Sequence, residues 1–154
     1  MEDSILDIKI NQIKASLITE KNIMLRVKGL SMWPLLQDGQ TVAVKAVSFN
    51  KIYTGDIILT YADKCVLCHR VLRRGFNHVQ TKADALPGFD AKVTADQIVG
   101  KVIVKYKNNR AVNLETALQR IFAFFYAYLT LLLSPLYPFL GWMRRAIRRP
   151  TTIQ

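Results

Sequence analysis

The amino-acid sequence predicts a mainly β fold, with a short N-terminal helix and a C-terminal apolar helical segment. Short runs of alternating or continuous apolar residues follow one another with no helical pattern between most of them, and turn signals such as Thr54-Gly55-Asp56 separate them. The composition then changes abruptly after residue 120, where charged residues disappear for 23 positions. The predicted strands are residues 24–27, 41–47, 57–61, 64–72, 79–82 and 98–106.

The chain of 154 residues favours one compact unit, in which three segments are predicted. Residues 1–22 carry apolar side chains at mostly helical spacing and predict an amphipathic helix. Residues 23–110 hold the predicted strands and the candidate catalytic residues. Residues 111–154 form a helical segment with a basic tail, for which Asn113 is the expected N-cap.

The charge of the chain predicts an anionic partner. Its formal net charge is +11, from 22 Lys and Arg against 11 Asp and Glu. Four of these basic residues follow the apolar segment directly, which favours lipid head groups over nucleic acid. The four are Arg144, Arg145, Arg148 and Arg149. We therefore expect contact with membrane lipids through residues 121–149 and no nucleic-acid partner.

Residues 121–143 contain no charge and are long enough, at about 1.5 Å per residue, to cross a hydrocarbon core of about 30 Å. Pro135 and Pro138 interrupt the segment, which leaves a broken span, a re-entrant hairpin or an in-plane helix as alternatives to a buried core helix. The first twenty residues hold no secretory signal, so the N-terminus is expected in the cytoplasm. These features predict association with the inner or cytoplasmic membrane, and they leave the side of the membrane open.

A candidate nucleophile lies in the stretch Gly29-Leu30-Ser31-Met32-Trp33-Pro34, between two predicted strands. A serine hydroxyl is barely ionised at neutral pH, so Ser31 requires an adjacent base, and that base is usually held by a third group. His69 lies on a predicted strand, whereas His78 follows a turn; Lys45 is the competing base. The third group is expected to be a carboxylate, and spacing does not choose between Asp84 and Asp90.

These residues resemble the signal peptidase I superfamily, which includes the self-cleaving LexA-type repressors. The first box is Ser31-Met32-Trp33-Pro34, similar to the Ser-Met-x-Pro of that superfamily. His69-Arg70-Val71 after a Gly-Asp-Ile-Ile strand resembles the endoplasmic-reticulum and archaeal type, in which histidine replaces the lysine base. Thr81-Lys82-Ala83-Asp84 resembles a Lys-Gly-Asp box, Asp90 falls at the second acidic position, and Gly100-Lys101-Val102 resembles the closing strand. The resemblance implies that Asp90 orients His69 and that Asp84 holds the loop or assists.

The segment Cys65-Val66-Leu67-Cys68-His69 also matches a c-type haem attachment pattern. Its place in a predicted strand and the lack of a signal peptide argue against haem. A zinc site from both cysteines, His69 and His78 has the wrong spacing for a finger. We expect no cofactor and no metal, with Cys65 and Cys68 reduced and on opposite faces of the strand.

Together the patterns predict a serine endopeptidase that cleaves leader or signal peptides at a membrane, with a peptide or pre-protein as its substrate. Such a substrate is expected to bind as an extended strand. Two alternatives remain: a catalytically silent, membrane-associated binding module of the same fold, and a self-cleaving regulator. A regulator needs a DNA-binding domain, for which the N-terminal residues offer no helix-turn-helix.

Overall fold

The structure is a computed structural model that describes residues 2–62, 65–108, 110–132 and 152–153. Its elements in chain order are α1 (Glu2–Thr19), β1 (Ile23–Lys28), β2 (Thr41–Lys45), β3 (Ile57–Ala62), β4 (Cys65–Arg74), β5 (His78–Lys82), β6 (Lys92–Thr94), β7 (Ile98–Lys107), β8 (Arg110–Asn113), α2 (Ala117–Leu132) and β9 (Thr152–Ile153). The mainly β class with a helix near each end is confirmed, as are the six predicted strands.

One antiparallel sheet contains all nine described strands, in the order β6-β5-β4-β3-β7-β2-β1-β9, with β8 paired to β7. Consecutive strands are neighbours at β1-β2, β3-β4, β4-β5, β5-β6 and β7-β8, as short loops favour. The sheet curves strongly enough that β9, at one end of the order, also lies against β4. This curvature brings β1, which leads to Ser31, close to β4, which contains His69. Strand β9 contacts both of them.

The two faces of the sheet pack against separate hydrophobic clusters. One cluster includes Cys68 of β4 together with Ile10 and Leu17 of α1. The other includes Ile58 and Val71, from neighbouring strands. Successive side chains of a strand point to opposite faces, so β4 presents alternate residues to the two clusters. The contacts of α1 show that it packs on the domain, which the sequence alone did not distinguish from contact with a membrane.

Helix α2 begins later than expected. Asn113 is the last residue of β8, and its side chain accepts a hydrogen bond from the Glu115 N–H at 2.8 Å. Thr116 Oγ1 lies 3.4 Å from the Gln119 N–H and occupies the capping position instead. Both residue types favour helix starts, and the pairing of β8 with β7 excludes Asn113 from that role.

An ion-pair network fixes the segment that leads into α2. Glu115 contacts Lys45 at 2.6 Å and Lys101 at 3.5 Å, and Lys101 Nζ also lies 2.9 Å from Asp56 Oδ1. Lys101 is nearly fully buried, so these two carboxylates compensate a charge that would otherwise be costly in the interior. The network joins β2, β7 and the turn before β3 to the start of the helix.

Helix α2 covers the turn between residues 53 and 56. Within the described residues, neither helix combines the length and the apolarity needed to cross a bilayer. Residues 133–151 lie outside the described residues, and with them the predicted bend at Pro135 and Pro138 and the arginine cluster.

The contact between Gly55 and α2 predicts an unusually costly substitution. Gly55 has φ +96°, and a Cβ on it would lie 2.9 Å from the backbone of Ala123 and Phe124. Gly39 has φ +74° with nothing within 4 Å of the same added atom. We expect Gly39→Ala to cost about 1–2 kcal/mol from backbone strain, and Gly55→Ala to cost a further 1–3 kcal/mol, about the range for overpacking. Urea unfolding of both variants measures the difference, and equal losses would contradict this packing of α2.

Candidate active site

Ser31 lies in the long loop between β1 and β2, and backbone contacts at both ends hold that loop. The Gly29 N–H donates to Asp38 Oδ1 at 2.6 Å, which ties the start of the loop to its end. The Ala85 N–H donates to the Ser31 carbonyl at 2.9 Å, which ties the serine itself to the segment after β5. Met32 and Leu36 are fully buried in the core beneath it. The serine is therefore held by the fold from two directions.

His69 brings a ring nitrogen to the serine. Its Nε2 lies 3.2 Å from Ser31 Oγ, and its Nδ1 lies 2.7 Å from Asp90 Oδ2. A carboxylate at Nδ1 favours the tautomer with the proton on that nitrogen, which leaves Nε2 as an acceptor for the serine hydroxyl. The structure thus brings three of the four predicted site residues together in one hydrogen-bonded chain, and their roles in catalysis stay predictions.

Asp90 is held by β5. Its N–H donates to the Thr81 carbonyl at 2.9 Å, and Thr81 Oγ1 donates to Asp90 Oδ2 at 2.7 Å. Partial burial opposes ionisation of Asp90, but hydrogen bonds from His69 and Thr81 and the nearby charges of His69 and Lys82 outweigh it and lower the pKa of Asp90. The carboxylate is therefore ionised at neutral pH and aimed at the imidazole.

Asp84 contacts Arg70 and not His69, so of the two aspartates it is Asp90 that lies at the imidazole. Both oxygens of Asp84 accept from Arg70, at 2.8 Å from Nε and 2.7 Å from Nη2, and both side chains are about 1% exposed. Arg70 also donates to the Gly55 carbonyl at 2.8 Å. The planar, bidentate geometry makes this a structural ion pair, and the role of Asp84 in holding the loop stays a prediction.

Two lysines bear on the site: Lys45, the competing candidate base, and Lys82, which lies next to the two aspartates. Lys45, the competing base, has its Nζ 2.6 Å from Glu115 Oε2 in the ion-pair network. Lys82 is buried beside Asp84 and Asp90 and donates to the Ala83 carbonyl at 3.0 Å. Burial lowers the pKa of Lys82, against the opposing influence of the two carboxylates. Its charge helps to keep Asp90 ionised.

The two cysteines are free thiols on different sides of β4. Cys65 is exposed, whereas Cys68 is buried. Burial, with a smaller contribution from the Asp84 carboxylate, raises the pKa of Cys68 to about 12, which disfavours the thiolate that a metal ligand requires. Among the described residues no three His, Cys, Asp or Glu side chains are grouped to hold a metal ion.

A cavity of about 590 Å³ lies between α2 and the sheet, away from the serine. Arg70, Lys101 and several apolar residues of α2 line it, and Ser31 and His69 do not. Because neighbouring residues of β4 point to opposite faces, Arg70 reaches this cavity while His69 reaches the serine.

Thr81 and Arg70 are the two residues of the site region whose roles the sequence analysis missed. Both stand inside boxes already recognised, Arg70 directly after His69 and Thr81 at the start of Thr81-Lys82-Ala83-Asp84. A buried arginine requires an acidic partner, and that rule alone would have assigned one of the two aspartates to Arg70.

A serine, a histidine and a carboxylate joined in this order form the arrangement of serine peptidases. The sequence matches the Peptidase S24-like family over residues 2–103. The chain belongs to this family of serine peptidases, within the LexA/signal-peptidase-like superfamily that the sequence boxes resemble. Among curated proteins and among solved structures, no match to the chain is found.

The lowered pKa of Asp90 predicts a pH-dependent contribution to stability. A carboxylate with a folded-state pKa below its unfolded value stabilises the fold above that unfolded value, about 3.9, and this contribution disappears as the pH falls through the folded pKa. The free energy of unfolding should therefore differ most between wild type and Asp90→Asn at about pH 6, and less at about pH 3. Urea titrations at both values measure it; a difference that stays constant or grows in acid would contradict the assignment.

Proposed function

We propose that the protein is a serine endopeptidase of the histidine-using type that cleaves leader or signal peptides at a membrane surface. The observation that carries this proposal is the chain of contacts from Ser31 Oγ to His69 Nε2 at 3.2 Å and from His69 Nδ1 to Asp90 Oδ2 at 2.7 Å. Family membership supports the serine peptidase class. A histidine, rather than a lysine, at the base position supports the resemblance to the endoplasmic-reticulum and archaeal type.

In the proposed reaction, Ser31 Oγ attacks the carbonyl carbon of the scissile peptide bond while its proton passes to His69 Nε2. Asp90 stabilises the resulting imidazolium, and backbone N–H groups near Ser31 are the expected donors to the oxyanion. Collapse of the tetrahedral intermediate breaks the C–N bond, and His69 returns its proton to the leaving amine. A water molecule, deprotonated by His69, then hydrolyses the acyl-enzyme by the same steps.

The apolar face of α2 supports the membrane part of the proposal. Six of its side chains at helical spacing are 46–75% exposed, and three of them also border the open cavity beside the sheet. The six are Leu118, Ile121, Phe122, Phe125, Leu129 and Leu132. A stripe of this kind, followed in sequence by four arginines, has the composition that binds anionic lipid surfaces. Leader peptides are themselves apolar, so enzyme and substrate would meet at the same surface.

Ser31→Ala and His69→Ala are each expected to lower peptide cleavage by about 10³-fold or more, because the hydroxyl and its base act in one covalent step. For the same reason the double variant should be little worse than either single variant. Cleavage of a leader-peptide library in detergent or vesicles, followed by mass spectrometry, measures the rates.

Lys45→Ala is the matched control, since it removes the competing base and leaves the proposed chain of contacts intact. It should keep activity close to wild type. Retained activity in Ser31→Ala, or an inactive Lys45→Ala beside an active His69→Ala, would overturn the assignment. A folded wild-type protein that cleaves no peptide in any membrane context would favour the silent binding module.

Phe122→Ser with Phe125→Ser should weaken binding to vesicles that contain anionic lipid by about tenfold or more, because burial of each phenyl ring contributes about 1.5–3 kcal/mol. Sedimentation with vesicles of mixed phosphatidylglycerol and phosphatidylcholine measures the partition. Phe76, fully exposed at the turn between β4 and β5, provides the control variant Phe76→Ser. Equal binding by all three proteins would contradict the role of α2.

A further inference from the structure

Two strand edges face each other beside the candidate active site. One is the outer edge of β1, the last strand before Ser31. The other belongs to β4: its pairing with β5 starts only at Arg70, so within the described residues positions 65–69 are paired on one side alone, to β3. We call the space between residues 27–28 and residues 65–69 the strand slot. Open backbone N–H and C=O groups on its walls are what an extended peptide requires for recognition.

The chain places its own C-terminal segment in the strand slot. Thr152 and Ile153 form β9, which pairs antiparallel with β1 in the register Lys28 to Thr152 and Val27 to Ile153. The same two residues also lie close to β4, whose edge is taken by β5 from Arg70 onward and, within the described residues, has no ladder partner at 65–69. A two-residue strand has little stability of its own. Its position therefore depends on the strand slot, which binds backbone in extended conformation.

The occupied position lies close to the nucleophile. Lys28 precedes Ser31 by three residues, and since the chain bends after Lys28, the two are at most about 10 Å apart along the chain. Because β9 runs antiparallel to β1, Thr152 is the member of the pair on the Ser31 side. Ser31 itself has 0% exposed surface in this structure, so a peptide carbonyl reaches Oγ only after part of the chain has moved away.

We propose that the segment formed by residues 152–153 is an intramolecular competitor of the peptide substrate, which holds the strand slot until a substrate displaces it. The proposal rests on the proposed function for the identity of the competing ligand. A segment in the same chain competes intramolecularly, so even weak pairing is sufficient to compete with dilute peptides.

The test uses the Ser31→Ala background, in which cleavage cannot interfere with binding. The probe is a fluorescent peptide with the sequence of residues 148–154, Arg-Arg-Pro-Thr-Thr-Ile-Gln, and the readout is fluorescence anisotropy. Thr152→Pro with Ile153→Pro removes two backbone N–H donors and should release the segment. We expect this chain to bind the probe about tenfold more tightly than the chain with its own segment intact.

The matched control is Thr152→Ala with Ile153→Ala, which keeps both N–H groups and should bind the probe as weakly as the intact segment. Equal affinity of the proline and intact chains would overturn the proposal, as would an alanine control that binds as tightly as the proline variant. Circular dichroism establishes that all chains are folded. These binding results do not depend on catalysis, so a protein that cleaves nothing would contradict the proposed function and leave this test unaffected.

Mass spectrometry of the chain with Ser31 present provides a second check. A competitor keeps its C-terminal residues, whereas a segment that is removed only when Ser31 is present is a substrate, and that outcome would also overturn the proposal. In a preparation that does cleave peptides, the proline variant should show a lower KM with an unchanged kcat, because only access to the slot has changed.

Discussion

The buried ion pair of Arg70 and Asp84 is the interaction on which the arrangement around the active site depends. The Arg70 guanidinium contacts the Asp84 carboxylate and the Gly55 carbonyl. It also lies 5.1 Å from the centroid of the Tyr126 ring in α2. Three parts of the chain that are distant in sequence thus meet on one side chain. Loss of either charged partner would leave the other charge buried, at a cost of about 3–5 kcal/mol, which is a large fraction of the stability of a domain of this size.

The alternation of side chains along β4 separates this structural role of Arg70 from the catalytic role proposed for His69. Arg70 points to the face that α2 covers, and His69 points to the face where Ser31 and Asp90 meet. The two aspartates are separated in the same way, since Asp84 pairs with Arg70 and Asp90 hydrogen-bonds to His69. A permanent cation next to the base in sequence is therefore kept away from the serine, and its charge is compensated by its own carboxylate.

Sequence reasoning predicted the elements that carry a repeating apolar pattern. It did not predict the features that only contacts between distant residues determine. The six predicted strands carry alternating or continuous apolar runs, whereas β6, β8 and β9 have three, four and two residues, too few to show a period. Ser31 and His69 stand in recognisable boxes. Asp84 and Asp90 occupy one loop and have the same chemistry, so only the positions of Arg70 and Thr81 in space distinguish them. The start of α2 was misplaced because Asn113 and Thr116 are both good caps, and only strand pairing chooses between them.

The continuous pairing of β4 with β3, from Cys65 with Ala62 to Arg70 with Ile57, determines where the chain tolerates a change of length. One residue inserted between positions 65 and 69 would turn His69 to the opposite face of the sheet, away from Ser31 and Asp90. Asp90, by contrast, is held directly by Thr81, so its position does not depend on the number of residues in the exposed stretch 87–89. A change of length is therefore compatible with this stretch and incompatible with the strand before the histidine.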